Sequence, residues 1–97
     1  MAVHEIPMVN TNQQFNVRLG SAIYKLRLIY RLDTWFLDIS DSAGQLMLAA
    51  LPMVQGVNLL EQHQHLIKGG LYVLNSNLDE SQSFNDLGVK IQLLWKD

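Results

Sequence analysis

The sequence contains no cysteine, which removes disulfide frameworks, thiolate nucleophiles and cysteine-ligated metal sites together. A chain without cysteine suits a reducing cytosol. It has only 2 prolines in 97 residues, so little interrupts a backbone hydrogen-bond ladder. No apolar run approaches the ~18 residues that a membrane-crossing helix needs. The first residues, Met1 to Gln14, lack a basic region followed by an apolar stretch, so no signal peptide is expected. Positive charge is also scarce: Lys and Arg total 7 against 9 Asp and Glu, and they are scattered along the sequence. The formal net charge of -2 argues against nucleic acid as a partner. Internal repeats, low-complexity tracts and charge runs are missing as well.

What remains is a chain with 48% hydrophobic and 16% charged residues, a balance that excludes disorder and fits one compact domain over residues 1–97. Its dominant signal lies between Phe15 and Ala50. Phe15, Val17 and Leu19 alternate with Asn16 and Arg18, the period of a strand with one buried face. Gly20-Ser21 then suits a type II′ hairpin turn. On the return, Ala22, Tyr24, Leu26, Leu28 and Tyr30 share one face, while Ile23, Lys25, Arg27, Ile29 and Arg31 share the other. A two-residue turn pairs Leu19 with Ala22, Val17 with Tyr24 and Phe15 with Leu26, so inward residues meet inward residues.

Leu32-Asp33 is poor chemistry for a primed turn, and a looser four-residue loop serves equally; both pair Tyr30 with Trp35, Leu28 with Leu37 and Leu26 with Ile39. Arg27 then faces Asp38 as an exposed ion pair. A third turn at Asp41-Ser42-Ala43-Gly44 sets Ile39 against Leu46, Leu37 against Leu48 and Trp35 against Ala50. Trp35 is therefore expected in the core, near Tyr30 and Ala50. Before this meander, Glu5–Val9 with Pro7 reads as an edge strand or an extended arm within residues 1–14. After it, Pro52 should end or bulge the fourth strand. Asn58 and Glu61 have capping-box spacing for one short helix near Leu59–His65. Leu71–Leu74 is a strand, 75–86 a long polar surface loop, and Val89, Ile91, Leu93 and Trp95 form the inner face of a last strand. The fold class expected is all-β: a small antiparallel meander closing into a barrel or compact sandwich, with one short helix.

The chemistry-bearing residues do not assemble into a reactive pattern. His63 and His65, two apart on a helix, point in different directions and cannot chelate, and only His4 and Glu61 could join them. Of Asp33, Asp38, Asp41, Asp79, Glu80 and Asp86, four sit in expected turns and one opposes Arg27. No Gly-x-Ser-x-Gly elbow is present, and Gly69-Gly70 lacks the Lys-Ser/Thr of a phosphate loop. No enzyme activity, metal or cofactor is expected. Tyr24, Tyr30, Trp35 and Trp95 could stack on bases or sugars, but their strand positions assign them to the core. Ile23, Ile29, Phe36 and Leu94 are large apolar side chains on nominally polar faces, and they are the candidate interaction residues.

In order along the chain, Phe15-x-Val17-x-Leu19-Gly20, Tyr24-x-Leu26-x-Leu28 and Trp35-Phe36-Leu37-Asp38-Ile39-x-Asp41-x-x-Gly44 are followed by Leu51-Pro52-x-Val54-x-Gly56-Val57-x-Leu59-Leu60, Gly69-Gly70-Leu71 and Asn85-Asp86-Leu87-Gly88. This set resembles the small baseplate plug proteins of contractile-tailed phages, often carried in prophages. Two departures are a short turn between Tyr30 and Trp35 and His63-Gln64-His65 in place of a more aromatic stretch. The resemblance implies a virion structural protein of the tail baseplate, made in the host bacterial cytoplasm, with no catalytic residues. Its implied partners are tail tube, hub or spike proteins, or further copies of itself, with neither membrane nor nucleic acid. The alternative is a small β-barrel module that binds a ligand or an oligonucleotide.

Overall fold

The computed structural model describes residues 3–79 and 81–96; Met1, Ala2, Glu80 and Asp97 lie outside the described residues, and with them the ends of the expected domain and the Glu80 carboxylate. Among the described residues seven strands follow one another: β1 Val3–Ile6, β2 Gln13–Leu19, β3 Ala22–Arg31, β4 Thr34–Asp41, β5 Leu46–Pro52, β6 Gly70–Asn75 and β7 Ile91–Lys96. They form two antiparallel sheets, one of order β2-β3-β4-β5 and one of order β1-β7-β6. The expected all-β class holds, but the strands do not close into a barrel.

The first two hairpins follow from the alternation of side chains and from turn length. Leu19 pairs with Ala22, Val17 with Tyr24 and Phe15 with Leu26. Tyr30 pairs with Trp35, Leu28 with Leu37 and Leu26 with Ile39. The turn at Leu32-Asp33 is the primed two-residue form after all, with φ of 54° and 60°. Arg27 stands opposite Asp38 as expected, but the Asp38 carboxylate accepts a hydrogen bond from the Ala50 N–H at 2.7 Å.

The third hairpin departs from its expected register. Ile39 pairs with Leu48 rather than Leu46, and Leu37 with Leu51 rather than Leu48. The cause begins in the turn: the Asp41 N–H donates to the Gln45 carbonyl and the Gly44 N–H to the Asp41 carbonyl, leaving three residues between the last pair. Irregularities between Leu37 and Ile39 and between Ile39 and Ser40 then add residues to β5. Ala50 takes up the bulge at φ 55° and is exposed, so it does not pack on Trp35. Asp38 supplies the acceptor that the interrupted ladder withholds from Ala50.

The expected helix near Leu59–His65 is replaced by a single 3-10 turn at Glu61–His63. Glu61 to His65 offers no apolar residue to continue a stripe from Leu59 and Leu60, so a longer helix would have nothing to bury. The Asn58 side chain also serves the sheet rather than a capping box: its Oδ1 accepts from Leu60 N–H at 2.9 Å and Leu71 N–H at 3.0 Å. The capping box occurs instead at a second 3-10 turn, Phe84–Asp86, preceded by Ser83.

Leu26, Leu28, Trp35, Leu37 and Ile39 from one sheet and Leu71, Val73, Ile91, Leu93 and Trp95 from the other belong to one buried cluster. On one side the sheets are tied together by the Gln55–Val73 bridge. On the other side β1 and β2 each end a sheet without pairing to each other. Residues 7–12 cross between them, held by Gln13, whose Nε2 donates to the carbonyls of Val9 (2.6 Å) and Thr11 (2.8 Å). The Asn12 Oδ1 accepts from the Tyr30 N–H at 3.0 Å. Gly88, at φ 79°, lies against the Met8 main chain where any Cβ would collide.

Candidate functional site: the outer faces and the open seam

Of the four expected interaction residues, the structure brings two together. Ile29 and Phe36 are directly paired across β3 and β4, half-buried on the outer face. The Arg31 guanidinium lies 5.2 Å from the Phe36 ring centroid, a cation–π contact. With Asp38, Ala49 and Ala50 these residues line a depression of about 240 Å³. Ile23 shares the face but stands apart, with Lys25 and Arg27 between it and Ile29. Leu94 belongs to the other sheet, between Glu5 and Tyr72. The bulge that exposes Ala49 and Ala50 carries no local sequence signal beyond two small residues, which is why their place beside Phe36 was not legible.

The sheet gathers charge that the sequence spreads out. Arg18, Lys25, Arg27 and Arg31, four of the 7 cations, alternate onto the outer side of β2 and β3 with Ile23 and Ile29. They are scattered in sequence but gathered by the sheet. One carboxylate, Asp38, shares the face, and it is engaged with Ala50.

The rings of Tyr24, Tyr30, Trp35 and Trp95 face the core. Trp35 is fully buried and Trp95 nearly so, and Tyr24 and Tyr30 are half-buried against the same cluster. Trp35, Tyr30 and Phe84 form one group, with centroids 5.3 Å apart for Tyr30–Trp35 and 5.7 Å for the stacked Trp35–Phe84 pair. Of the expected surface loop over 75–86, Asn75 is instead the buried last residue of β6, while 76–79 and 81–86 are exposed or half-buried and the part that carries Phe84 is pinned to the sheet. Trp35 Nε1 donates to the Ser83 carbonyl at 3.1 Å and the Tyr30 hydroxyl to the Gln82 carbonyl at 3.2 Å. The Gln82 carboxamide is inserted between strands: its Oε1 accepts from Trp35 N–H at 2.7 Å, and its Nε2 donates to the Met53 carbonyl at 2.6 Å. Burial and the nearby Asp33 and Asp86 carboxylates push the Tyr30 hydroxyl pKa up.

His63 is half-buried in the 3-10 turn and His65 exposed beyond it. Among the described residues no three His, Asp or Glu side chains converge. Gly69-Gly70 has a packing role: Gly69, at φ 125°, leaves room for the Trp95 ring, which a Cβ would strike.

The seam between β1 and β2 went unnoticed in the sequence because it joins residues of two different sheets. Ile6, Pro7, Met8 and Val9 form one wall, and Phe15 and Val17 the other, of an apolar groove of about 370 Å³. Phe15 and Val17 point inward, yet they are only half-buried, whereas Leu26, Leu28, Leu37 and Ile39 are completely buried. The core is unfinished at this edge.

The strands thus form a small two-sheet β fold with an open edge at β2 and an outer face that combines apolar and basic side chains. The model of the family described as the cyanophage baseplate Pam3 plug gp18 matches residues 3–97. The chain belongs to that baseplate plug family, a family of phage tail structural proteins. No curated protein matches it.

Proposed function

We propose that this chain is a structural subunit packed at the tube–hub end of a phage tail, working by protein–protein contact and not by catalysis. The observation that carries this reading is the family match across residues 3–97. The surface supports it. Ile29 and Phe36, with Arg31 over the ring, form the centre of the docking face, with Ile23 at its margin. Leu94, opposite Tyr72 and near the exposed Leu74, makes a second, separate apolar spot on the other sheet. Burying one such side chain contributes roughly 1.5–3 kcal/mol. A stable contact covers about 800 Å² per partner, and the two longest extents of the molecule, 33 and 27 Å, bound a face of that order. The partners are tail tube, hub or spike subunits, met after synthesis in the host cytoplasm.

The test is co-expression with the tail tube and hub subunits of the same phage, followed by gradient sedimentation. Comigration with one of them at fixed stoichiometry is expected. A chain that stays at the top of the gradient with every tail subunit overturns the reading.

A further inference from the structure

We infer that the free edge of β2 and the groove beside it receive an extended strand from a partner protein, one that alternates apolar with acidic side chains. This rests on the contact-based reading above and specifies how one contact is made.

The backbone of β2 sets the hydrogen-bonding half of the site. Leu19 and Ala22 close a two-residue hairpin, and in such a hairpin the closing residues exchange both hydrogen bonds. Bonded pairs recur every second residue, so Leu19, Val17, Phe15 and Gln13 direct their N–H and C=O groups to β3. The N–H of Tyr30, just beyond that ladder, points the same way and is taken by Asn12 Oδ1 at 3.0 Å. Gln14, Asn16 and Arg18 therefore turn theirs away from β3, toward an edge where no described strand pairs. Three donors and three acceptors at strand spacing form a template for an added strand.

Side chains set the specificity. Residues of the added strand that lie opposite Phe15 and Val17 point into the groove, whose other wall is Ile6 to Val9. Apolar side chains there cover the half-buried Phe15 and Val17 and finish the core. The wall is fixed in advance by the Gln13 bonds to Val9 and Thr11. Residues opposite Gln14, Asn16 and Arg18 point to the outer face, where Arg18 stands at the edge and Lys25 and Arg27 pair with Asn16 and Gln14 one strand further in. Carboxylates fit that position and ammonium groups do not. In a β2-to-β2 pairing a second copy offers no carboxylate there, because its own β2 edge carries Arg18 and no acid. Nucleic acid would present phosphates to the cations but has nothing to place in the apolar groove.

The probe is a nine-residue peptide alternating valine and glutamate, read by amide hydrogen exchange on the intact protein. Exchange at Gln14, Asn16 and Arg18 should slow at least tenfold, while exchange at Phe15 and Val17 is already slow without peptide. Arg18→Glu, a change at an exposed side chain, should weaken binding at least tenfold. Asn16→Pro, which removes one edge donor, should abolish it. The same peptide with lysine for glutamate should not bind measurably. Equal binding of the lysine peptide, binding without protection of those three amides, or tighter binding of a ten-nucleotide oligothymidine overturns the inference. So does prior protection of the three amides in a dimer of the free protein, since a second copy would then hold the edge. None of these outcomes bears on co-sedimentation with tail subunits, so the baseplate reading stands or falls separately.

Discussion

Trp35 and Trp95 are both buried, but among the described residues only one indole N–H has a partner. Trp35 Nε1 donates to the Ser83 carbonyl at 3.1 Å, while Trp95 Nε1 is buried with no acceptor among the described residues. Replacement by phenylalanine should separate the two. Trp35→Phe loses the tie to the 75–86 loop, whose Ser83 carbonyl keeps its bond from the Asp86 N–H, so the lost hydrogen bond costs roughly 0.5–1.5 kcal/mol beyond the lost volume. Trp95→Phe removes an unpaired donor along with some packing, and the two changes oppose each other, so less than about 1.5 kcal/mol is expected. Urea titrations in which Trp95→Phe is the more damaging variant would contradict this assignment. That both tryptophans are core residues was legible, because each lies on the apolar side of an alternating strand. Their hydrogen bonding was not, because Ser83 is 48 positions from Trp35 and no local pattern announces it.

At the scale of elements, a turn's length decided how much could be read in advance. Two-residue turns left β2, β3 and β4 no freedom of register, and the pattern of Leu26, Leu28, Leu37 and Ile39 fixed the face. The β4–β5 hairpin has an odd turn and two irregularities, and the residue that absorbs one of them, Ala50, is not a glycine. Nothing in its identity marks a positive φ. The β3–β4 turn shows the same tension, since Leu32 and Asp33 hold φ values that favour Asn and Gly. Replacing Leu32-Asp33 by Asn-Gly should stabilise the protein by about 1 kcal/mol. For a chain of this size that is a rise of roughly 4–8 °C in Tm. A melt with unchanged or lower Tm would show that the turn is not strained.

The 75–86 loop answers to pH through Asp86. Desolvation works to raise its pKa, but hydrogen bonds from Asn77 and Ser83 and the charge of Lys90 outweigh it and hold the carboxyl below the usual 3.8. Since the folded value lies below the unfolded one, the stability this group contributes is whole above the ordinary carboxylate range and is lost as pH falls through the folded value. The group is largely solvated, so the effect on global stability is small; the loop should feel it first. Near-ultraviolet circular dichroism of the Tyr30–Trp35–Phe84 group should weaken below about pH 4, and Asp86→Asn should flatten that dependence. An identical acid profile for the two proteins would place the titration elsewhere.

For the whole molecule, the sequence's even spread of charge conceals an uneven distribution in space. A net -2 chain presents Arg18, Lys25, Arg27 and Arg31 on one sheet face, because a period of two sends alternate residues of β2 and β3 to the same side. The same sorting separates the apolar candidates, placing Ile29 and Phe36 on the basic face and Leu94 on the other sheet. This makes the two faces separable by mutation. Ile29→Ser with Phe36→Ser should leave the fold intact, since both side chains lie outside the buried cluster. It should weaken co-sedimentation with the tail subunit by at least tenfold, as removal of roughly 1.5–3 kcal/mol per buried side chain requires. Leu94→Ser tests the opposite face by the same measurement. Raising salt from about 50 to 500 mM should weaken a contact made through the basic face and spare one made through Leu94. If the double variant unfolds in a thermal melt, Ile29 and Phe36 belong to a second core under the bulge. If it folds and sediments with the parent's partner unchanged while Leu94→Ser does not, the docking face is the three-stranded sheet.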